Sequence, residues 1–184
     1  MTRLGRILAG FLFLAVTPLL RAEVVESSAN TTKIKQVRTV AATPEKAWKA
    51  FLEVNHWWAS DHTYSGDSAN LHLDARAGGC WCETLPNGGS VLHMTVVYVS
   101  PNTRMTLTGG LGPLQTTGVA GALTFQIVPK GEGVEISLIY NVGGYYPGGL
   151  SSVAAGVDSV LAEQFDRLQR LIATGSADVK PAAK

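Results

Sequence analysis

The sequence lacks the short motifs that most directly identify an enzyme class. It has no His-Glu-x-x-His run or comparable two-ligand spacing, and neither of its two glycine-rich loops is followed by Lys-Ser or Lys-Thr. Its two cysteines are separated by one residue, which is not the spacing of a thioredoxin-like motif. These absences argue against a zincin-type metal site, a phosphate-binding loop and a thioredoxin-like centre.

The N-terminal apolar run is shorter than a typical membrane span. Arginines precede this run, which covers residues 7–20, and a polar stretch follows Ala22. The pattern predicts an export signal over residues 1–22, cleaved after Ala22, so the mature chain is expected to be periplasmic or secreted. An uncleaved anchor is the alternative, because Leu20 fits the small-residue rule for cleavage poorly.

Excess charge of either sign is small. The whole chain has 15 Lys and Arg against 14 Asp and Glu, and loss of Arg3, Arg6 and Arg21 with the signal leaves 12 basic side chains against 14 acidic ones. Such a chain is not expected to bind nucleic acid. No cysteine stands at the predicted cleavage point, so a lipid anchor is not expected. Stable membrane insertion is not expected once the signal is cleaved. The sequence implies no cofactor.

The remaining residues suit one domain with a sizeable core. We expect this domain over residues 33–174, between a flexible leader at 23–32 and a flexible tail at 175–184, because both ends are small, polar and unpatterned. A first strand is predicted over 33–41. Six more segments alternate or run apolar between turn signals, which favours antiparallel hairpins: 70–74, 79–84, 90–99, 105–108, 119–128 and 134–142.

Helices complete the predicted order. Thr43 is suited to cap a first helix with Pro44 at its first position, and a short second turn is expected over 54–59. A last helix over 151–174 has two serines to cap its start, Gly175 after its end and one apolar stripe. The stripe contains Val153, Val157, Val160, Leu161, Phe165, Leu168, Leu171 and Ile172.

This order of elements resembles the SRPBCC superfamily. The resemblance rests on segment 42–48 (ATPEKAW) after the first strand and on segment 157–161 (VDSVL) in the last helix, and it covers residues 33–174. The superfamily includes START lipid-transfer domains, the birch pollen allergen and polyketide cyclases. Relatives of the activator of the heat-shock-protein-90 ATPase are the nearest branch, although an exported chain would not meet a cytosolic chaperone.

The resemblance implies an α+β helix-grip fold. A curved antiparallel sheet of about seven strands would surround a long C-terminal helix, with two short helices after the first strand and a cavity between sheet and helix. Such a cavity favours a small hydrophobic or amphipathic ligand, a lipid among them. The second glycine-rich loop, residues 143–149, is predicted to gate it. The expected ligand contacts are Trp57, Trp58, Trp81, His93, Tyr145, Tyr146, Val157 and Leu161.

Two other functions stay open. A cavity-based enzyme of the hydrolase, cyclase or thiol-redox type would use Glu83, His93, Cys80 or Cys82. A partner-binding module would need an exposed apolar patch in place of an enclosed pocket.

The Cys80-Trp81-Cys82 segment is a candidate disulfide. On a regular strand the two Cα atoms would be about 6.6–6.8 Å apart, at the upper limit for a disulfide, so the bond would be strained and easily reduced. A redox role is one interpretation. The favoured one is a pair of small apolar residues, or a structural bridge, in the wall of the core or cavity.

The position of His93 depends on the length of the preceding turn. A four-residue loop would place Cys82 opposite His93, a three-residue loop would place Trp81 there, and a five-residue loop would place Glu83 there. The first arrangement would pair a thiolate with a base or supply soft metal ligands, and the last would be an ordinary carboxylate–imidazole pair. A hydrogen-bonded wall residue is the favoured interpretation.

A second polar cluster follows the short helices. His56, Asp61 and His62 are weak candidates for metal ligands, among tryptophans and tyrosine that could cover a cavity mouth. Aromatic packing beside a polar loop is favoured, so no metal is predicted.

Overall fold

Strands form where polar and apolar residues alternate, and they pair in antiparallel order. The computed structural model describes residues 23–179. Its single sheet has eight strands in the order β1-β2-β8-β7-β6-β5-β4-β3. The strands are β1 Glu23–Ser27, β2 Thr31–Val40, β3 Leu71–Leu73, β4 Cys80–Thr84, β5 Ser90–Ser100, β6 Arg104–Thr108, β7 Gly118–Lys130 and β8 Gly133–Tyr145.

Three α-helices lie among these strands in the predicted order. They are α1 Pro44–Leu52, α2 Val54–Trp57 and α3 Ala154–Thr174. Thr43 caps α1 by accepting a hydrogen bond from the Lys46 amide, and Pro44 stands in the first turn, as predicted. Within residues 23–179, no helix is both long and apolar enough to cross a bilayer.

The flexible leader predicted at 23–32 is wrong, because most of it is strand. β1 pairs antiparallel with β2, placing Val24 opposite Ile34. The turn between them is closed by the Ser28 hydroxyl, which accepts from the Thr31 amide at 3.0 Å. The pattern of β1 is too short to predict a strand, but β2 has an edge of unpaired backbone groups that a neighbouring strand satisfies. The predicted signal at 1–22 lies outside the described residues.

The predicted flexible tail is also partly wrong. Gly175 ends α3 in the left-handed conformation, as predicted. The chain then turns back onto the helix, where Ala177 is buried and its carbonyl accepts from Arg170 Nε at 2.8 Å. Asp178 pairs with Arg167 at 2.9 Å. The tail beyond residue 179 lies outside the described residues.

Helix α3 begins three residues later than predicted. A 3₁₀ turn over Leu150–Ser152 precedes it, and the Ser152 hydroxyl donates to the Gly149 carbonyl instead of capping the helix. The Leu150 amide donates to the Ala29 carbonyl at 2.9 Å, which holds the chain against the β1–β2 turn. The start of α3 is therefore set by a tertiary contact.

The core lies between the concave face of the sheet and the helices. Phe125 on β7 stacks on Phe51 of α1 with ring centroids 3.9 Å apart, and it meets Phe165 of α3 edge-on at 6.4 Å. All three rings are buried. Together they join both helices to the middle of the sheet.

Polar contacts fix the direction in which α3 crosses β2. Gln36 Nε2 donates to Asp158 at 2.6 Å, and Arg38 Nε donates to Asp166 at 2.6 Å. Gln36 and Arg38 are both buried, so these bonds satisfy groups that would otherwise be costly to bury. The two contacts lie eight residues apart on α3 and define one line along the helix.

Strand β5 has one extra residue where it pairs with β4. Cys82 lies opposite Leu92 but Trp81 lies opposite Met94, so His93 is the extra residue. A β-bulge of this kind interrupts the alternation of side chains. His93 and Met94 are consequently both buried, although neighbouring residues on a regular strand would face opposite sides of the sheet.

The turn before the bulge has the three-residue form. The Leu85 amide donates to the Gly89 carbonyl at 2.9 Å. A three-residue turn followed by a regular strand would place Trp81 opposite His93. Because the bulge shifts the register by one residue, Trp81 lies opposite Met94 instead. The four-residue alternative, with Cys82 opposite His93, is also wrong, since these side chains lie on opposite faces of the sheet.

Candidate functional site

A cavity of about 760 Å³ lies between the N-terminal half of α3, the segment that follows α2 and the loop between β6 and β7. Most of its wall is apolar, and the polar groups are a few hydroxyls and two imidazoles. Its lining residues are Trp58, His62, Thr63, Tyr64, His93, Leu111, Gly112, Pro113, Ser152, Val153, Gly156, Val157, Val160 and Leu161.

His93 is the buried titratable group in this wall. Its Nε2 lies 2.9 Å from Glu83 Oε2. Because a carboxylate only accepts, the proton of the neutral ring sits on Nε2 and the lone pair on Nδ1. Burial lowers the pKa of His93, and the neighbouring Glu83 opposes this only in part. No group of residues 23–179 hydrogen-bonds Nδ1, which leaves it as an acceptor at the cavity wall.

Glu83 is fully buried and holds the segment that covers the cavity. It accepts hydrogen bonds from the backbone amides of Tyr64 and Ser65 as well as from His93. Burial alone would raise the pKa of Glu83, but the bonds from Ser65, Tyr64 and His93 outweigh it and keep that pKa below its ordinary value. Glu83 is therefore a carboxylate whose charge is stabilised by hydrogen-bond donors and not by a cationic side chain.

Tyr64 connects this segment to the loop on the other side of the cavity mouth. Its hydroxyl lies 3.1 Å from the Gly112 carbonyl and 3.3 Å from Gln115 Oε1. Gln115 Nε2 donates in turn to the Leu92 carbonyl at 2.7 Å. The two loops thus form a bridged cover, and the hydrogen bonds of the Tyr64 and Gln115 side chains within it are exposed.

The β6–β7 loop is fixed at its base by Tyr140. The Tyr140 hydroxyl accepts from the Leu111 amide at 3.0 Å and donates to the Gly109 carbonyl at 3.1 Å. Burial raises the pKa of Tyr140 to about 12, so it keeps the proton that it donates. A Cβ at Gly121 would lie 2.8 Å from this hydroxyl and 2.5 Å from the Gly109 carbonyl, which explains the glycine there.

Half of the predicted ligand contacts line the cavity: Trp58, His93, Val157 and Leu161. Trp57 and Trp81 are buried behind this wall, where Trp81 meets Trp58 edge-on with centroids 4.8 Å apart. Tyr145 and Tyr146 do not line it, and the Tyr145 side chain is 71% exposed. The first glycine-rich loop, through Leu111 to Pro113, covers the cavity in place of the predicted second one.

Cys80 and Cys82 form a disulfide on the convex face of the sheet, away from the cavity. Their Cα atoms are 5.4 Å apart, so the expected separation for a regular strand is wrong. β4 directs both sulfurs to the face opposite Trp81 and Glu83. The pair therefore cannot act on a molecule held between sheet and helix.

Only two of the three weak metal candidates, Asp61 and His62, come together. His56 is exposed and lies 3.6 Å from Glu53, whereas His62 lies 3.3 Å from Glu163 of α3. Asp61, His62 and Glu163 are close enough to share an ion, but the group is solvent-exposed. An exposed acidic cluster of this kind needs no metal to explain it.

Several lining residues are absent from the sequence-based prediction. Thr63 and Pro113 lie in loops whose positions depend on distant contacts. Three other lining residues follow at four-residue steps along the helix: Ser152, Gly156 and Val160. Val160 belongs to the predicted apolar stripe, and adding the small residues Ser152 and Gly156 to that stripe would have identified all three.

The Glu83–His93 pair predicts a loss of stability in acid. The unfolded chain binds a proton at His93 near pH 6.5 and at Glu83 near pH 4.5, whereas both pKa values are lower in the folded protein. We therefore expect the free energy of unfolding to decrease as the pH falls below 6.5, and again below 4.5. His93→Gln should remove the first decrease, as measured by urea unfolding between pH 8 and pH 5.

His56→Gln is the matched control, since it removes an exposed imidazole that lies outside the Glu83–His93 pair. Equal slopes for the wild type and His93→Gln would contradict the assignment.

Comparisons with known proteins agree with this architecture. Residues 31–173 match the model of a family described as polyketide cyclase / dehydrase and lipid transport. No curated protein matches the chain. Among solved structures, a conserved protein of unknown function from Enterococcus faecalis is similar with a TM-score of 0.60 and 12% identity, over 88% of this chain and 81% of that one.

Two further structures have the same fold. A protein from Mesorhizobium loti has a TM-score of 0.55 at 18% identity, over 76% of this chain and 96% of its own. The Aha1 dimer from Colwellia psychrerythraea has a TM-score of 0.54 at 16% identity, over 78% of this chain and 97% of its own. The family match covers most of the chain, and the sheet wrapped around α3 is the helix-grip fold. The chain therefore belongs to the polyketide cyclase/dehydrase and lipid transport family, a family of ligand-binding domains in the SRPBCC superfamily.

Proposed function

We propose that this protein is exported and holds one small hydrophobic or amphipathic molecule, such as a lipid, between its sheet and α3. The observation that carries the proposal is the cavity of about 760 Å³ with its largely apolar wall. This volume is within the range of small-molecule sites, and removal of an apolar ligand from water supplies the binding energy.

The polar groups favour an amphipathic ligand with a hydrogen-bond donor at one end. His93 has its Nε2 proton committed to Glu83, so Nδ1 accepts a hydrogen bond from a hydroxyl or a carboxylic acid. The apolar part of the ligand then lies along Val157, Val160 and Leu161 of α3. A ligand with an anionic head group is disfavoured beside the Glu83 carboxylate.

Export is supported by the arginines and the apolar run within residues 1–22. Cleavage after Ala22 would leave β1, Glu23–Ser27, complete. The mass of the intact protein recovered from the periplasm tests this, with a chain that begins at Glu23 expected. Recovery of the uncleaved chain with the membrane fraction would overturn the export proposal without affecting the ligand proposal.

Gly156 offers a direct test of ligand binding. It lines the cavity, and a Cβ placed on it would meet no atom within 4 Å. Gly156→Phe should fill the cavity and weaken binding of the apolar fluorescent probe N-phenyl-1-naphthylamine at least tenfold. Gly156→Ala should retain binding, and relief of the glycine cost in a helix should stabilise the fold by up to about 1 kcal/mol. Fluorescence titration and thermal unfolding measure the two effects.

Ala155→Phe is the matched control because Ala155 is exposed on the same helix and does not line the cavity. Native mass spectrometry of the three variants should show a co-purified apolar molecule with Ala155→Phe and Gly156→Ala but not with Gly156→Phe. Equal probe affinity of Gly156→Phe and Ala155→Phe, with both folded, would contradict ligand binding in this cavity.

The Glu83–His93 pair favours a second candidate function, proton transfer to or from a bound molecule. A neutral imidazole oriented by a carboxylate is a suitable general base, and its Nδ1 carries the lone pair. In such a reaction Nδ1 takes a proton from the carbon next to a carbonyl group, and Glu83 stabilises the resulting imidazolium.

Deuterium exchange of 1-tetralone in D₂O, followed by NMR, tests this chemistry without knowledge of the complete reaction. Catalysis predicts an exchange rate above that of buffer, and a decrease of at least 100-fold in this excess rate for His93→Gln. The probe affinity of that variant should stay within a few-fold of the wild type. A wild-type rate equal to buffer, or equal rates for both proteins, would leave binding as the function.

A further inference from the structure

The convex face of β3 and β4 presents three metal-ligating side chains that the cavity does not use. His72 lies directly opposite Cys82 in the antiparallel pairing, and Cys80 lies two residues before Cys82 on the same face. His72 Nε2 is 3.8 Å from Cys80 Sγ. All three ligand atoms lie within 4.8 Å of one another.

We propose that His72, Cys80 and Cys82 form a redox-controlled site for a thiophilic cation, Zn²⁺ or Cu⁺. Two thiolates and one imidazole are a soft donor set that these ions prefer over Mg²⁺ or Ca²⁺. The site is separate from the proposed function, because β4 directs Trp81 and Glu83 toward the concave face and both cysteines toward the convex face.

The spacing of the donors suits tetrahedral coordination. With Zn–S bonds of about 2.3 Å and Zn–N bonds of about 2.0 Å, neighbouring donor atoms lie about 3.5–3.8 Å apart. The distance of 3.8 Å from His72 Nε2 to Cys80 Sγ is only about 0.3 Å longer than this geometry requires of a nitrogen–sulfur pair. After reduction, rotation of the cysteine side chains about their Cα–Cβ bonds brings the two sulfurs to a similar distance without a change in strand pairing.

The surroundings leave the fourth coordination position open. Among residues 23–179, no fourth histidine, cysteine or carboxylate joins the group. Thr95 lies opposite Cys80, and Leu92 lies opposite Cys82 with more than half of its side chain exposed. A cation held by three protein ligands on an open surface can exchange with solvent or with a second donor, as in a transfer site.

The disulfide controls this site because bonded sulfurs cannot act as thiolates. A dithiol or phosphine donor transfers two electrons to the disulfide, and two protons complete the two thiols as the donor is oxidised. Binding of Zn²⁺ then displaces these two protons into solvent. Oxidation of the thiols by a disulfide-bonded partner releases the cation and restores the Cys80–Cys82 bond.

Cobalt binding tests the proposal on the intact protein. The protein is reduced with a phosphine, freed of the reductant without oxygen and titrated with Co²⁺ alone, whose thiolate charge-transfer absorption reports sulfur ligation. We expect one equivalent to bind to the reduced protein, displacement by Zn²⁺, and no such absorption for the oxidised protein. His72→Ala should weaken binding at least tenfold, and Cys80→Ser should abolish the charge-transfer band.

His62→Ala is the matched control, because His62 belongs to the other cluster of potential ligands and should not affect the band. Near-ultraviolet circular dichroism of the reduced protein and of the double variant Cys80→Ser, Cys82→Ser establishes whether the fold persists without the disulfide. Loss of the fold on reduction would overturn the proposal, since the site requires β3 paired with β4. Folded reduced protein that binds no Co²⁺, or equal affinity of His72→Ala and the wild type, would overturn it as well.

Discussion

The extra residue at His93 in strand β5 is the constraint on which the candidate site depends. Without the bulge, His93 and Met94 would face opposite sides of the sheet, and only one of them could be buried against the core. With it, His93 reaches Glu83, and Glu83 in turn holds the amides of Tyr64 and Ser65. One local irregularity of the sheet therefore positions both the polar group of the cavity and half of its cover.

The electrostatics of the cavity follow from this arrangement. Glu83 retains its charge because backbone amides and an imidazole solvate it, and no basic side chain is needed beside the ligand. His93 stays neutral because burial disfavours its charged form. The wall thus offers a hydrogen-bond acceptor within apolar surroundings, which under the proposed function would orient an amphipathic ligand while apolar contact supplies most of the affinity. The same neutral imidazole beside a carboxylate is the arrangement that proton transfer requires.

Strand β4 separates two kinds of chemistry by alternation alone. Its residues at positions 81 and 83 build the wall behind the cavity, and those at 80 and 82 lie on the convex face beside His72. Because the sheet lies between them, a change in the oxidation state of the disulfide does not alter the polar groups of the cavity directly. The family match covers both faces, but only the concave one corresponds to the cavity expected of a helix-grip fold.

The sequence by itself determined seven of the eight strands, the capped start of α1 at Thr43, the Gly175 end of α3 and the apolar stripe that includes Val157 and Leu161. These features follow from period-two or period-3.6 alternation and from the local chemistry of caps, which act within a few residues. Only the tertiary structure decided the strand at Glu23–Ser27, the bulge at His93, and the choice of the Gly109–Gln115 loop, not the Tyr145–Tyr146 loop, as the cover. Each of these depends on hydrogen bonds between different strands or loops, such as Tyr64 with Gly112, and no periodicity along the sequence records such pairings.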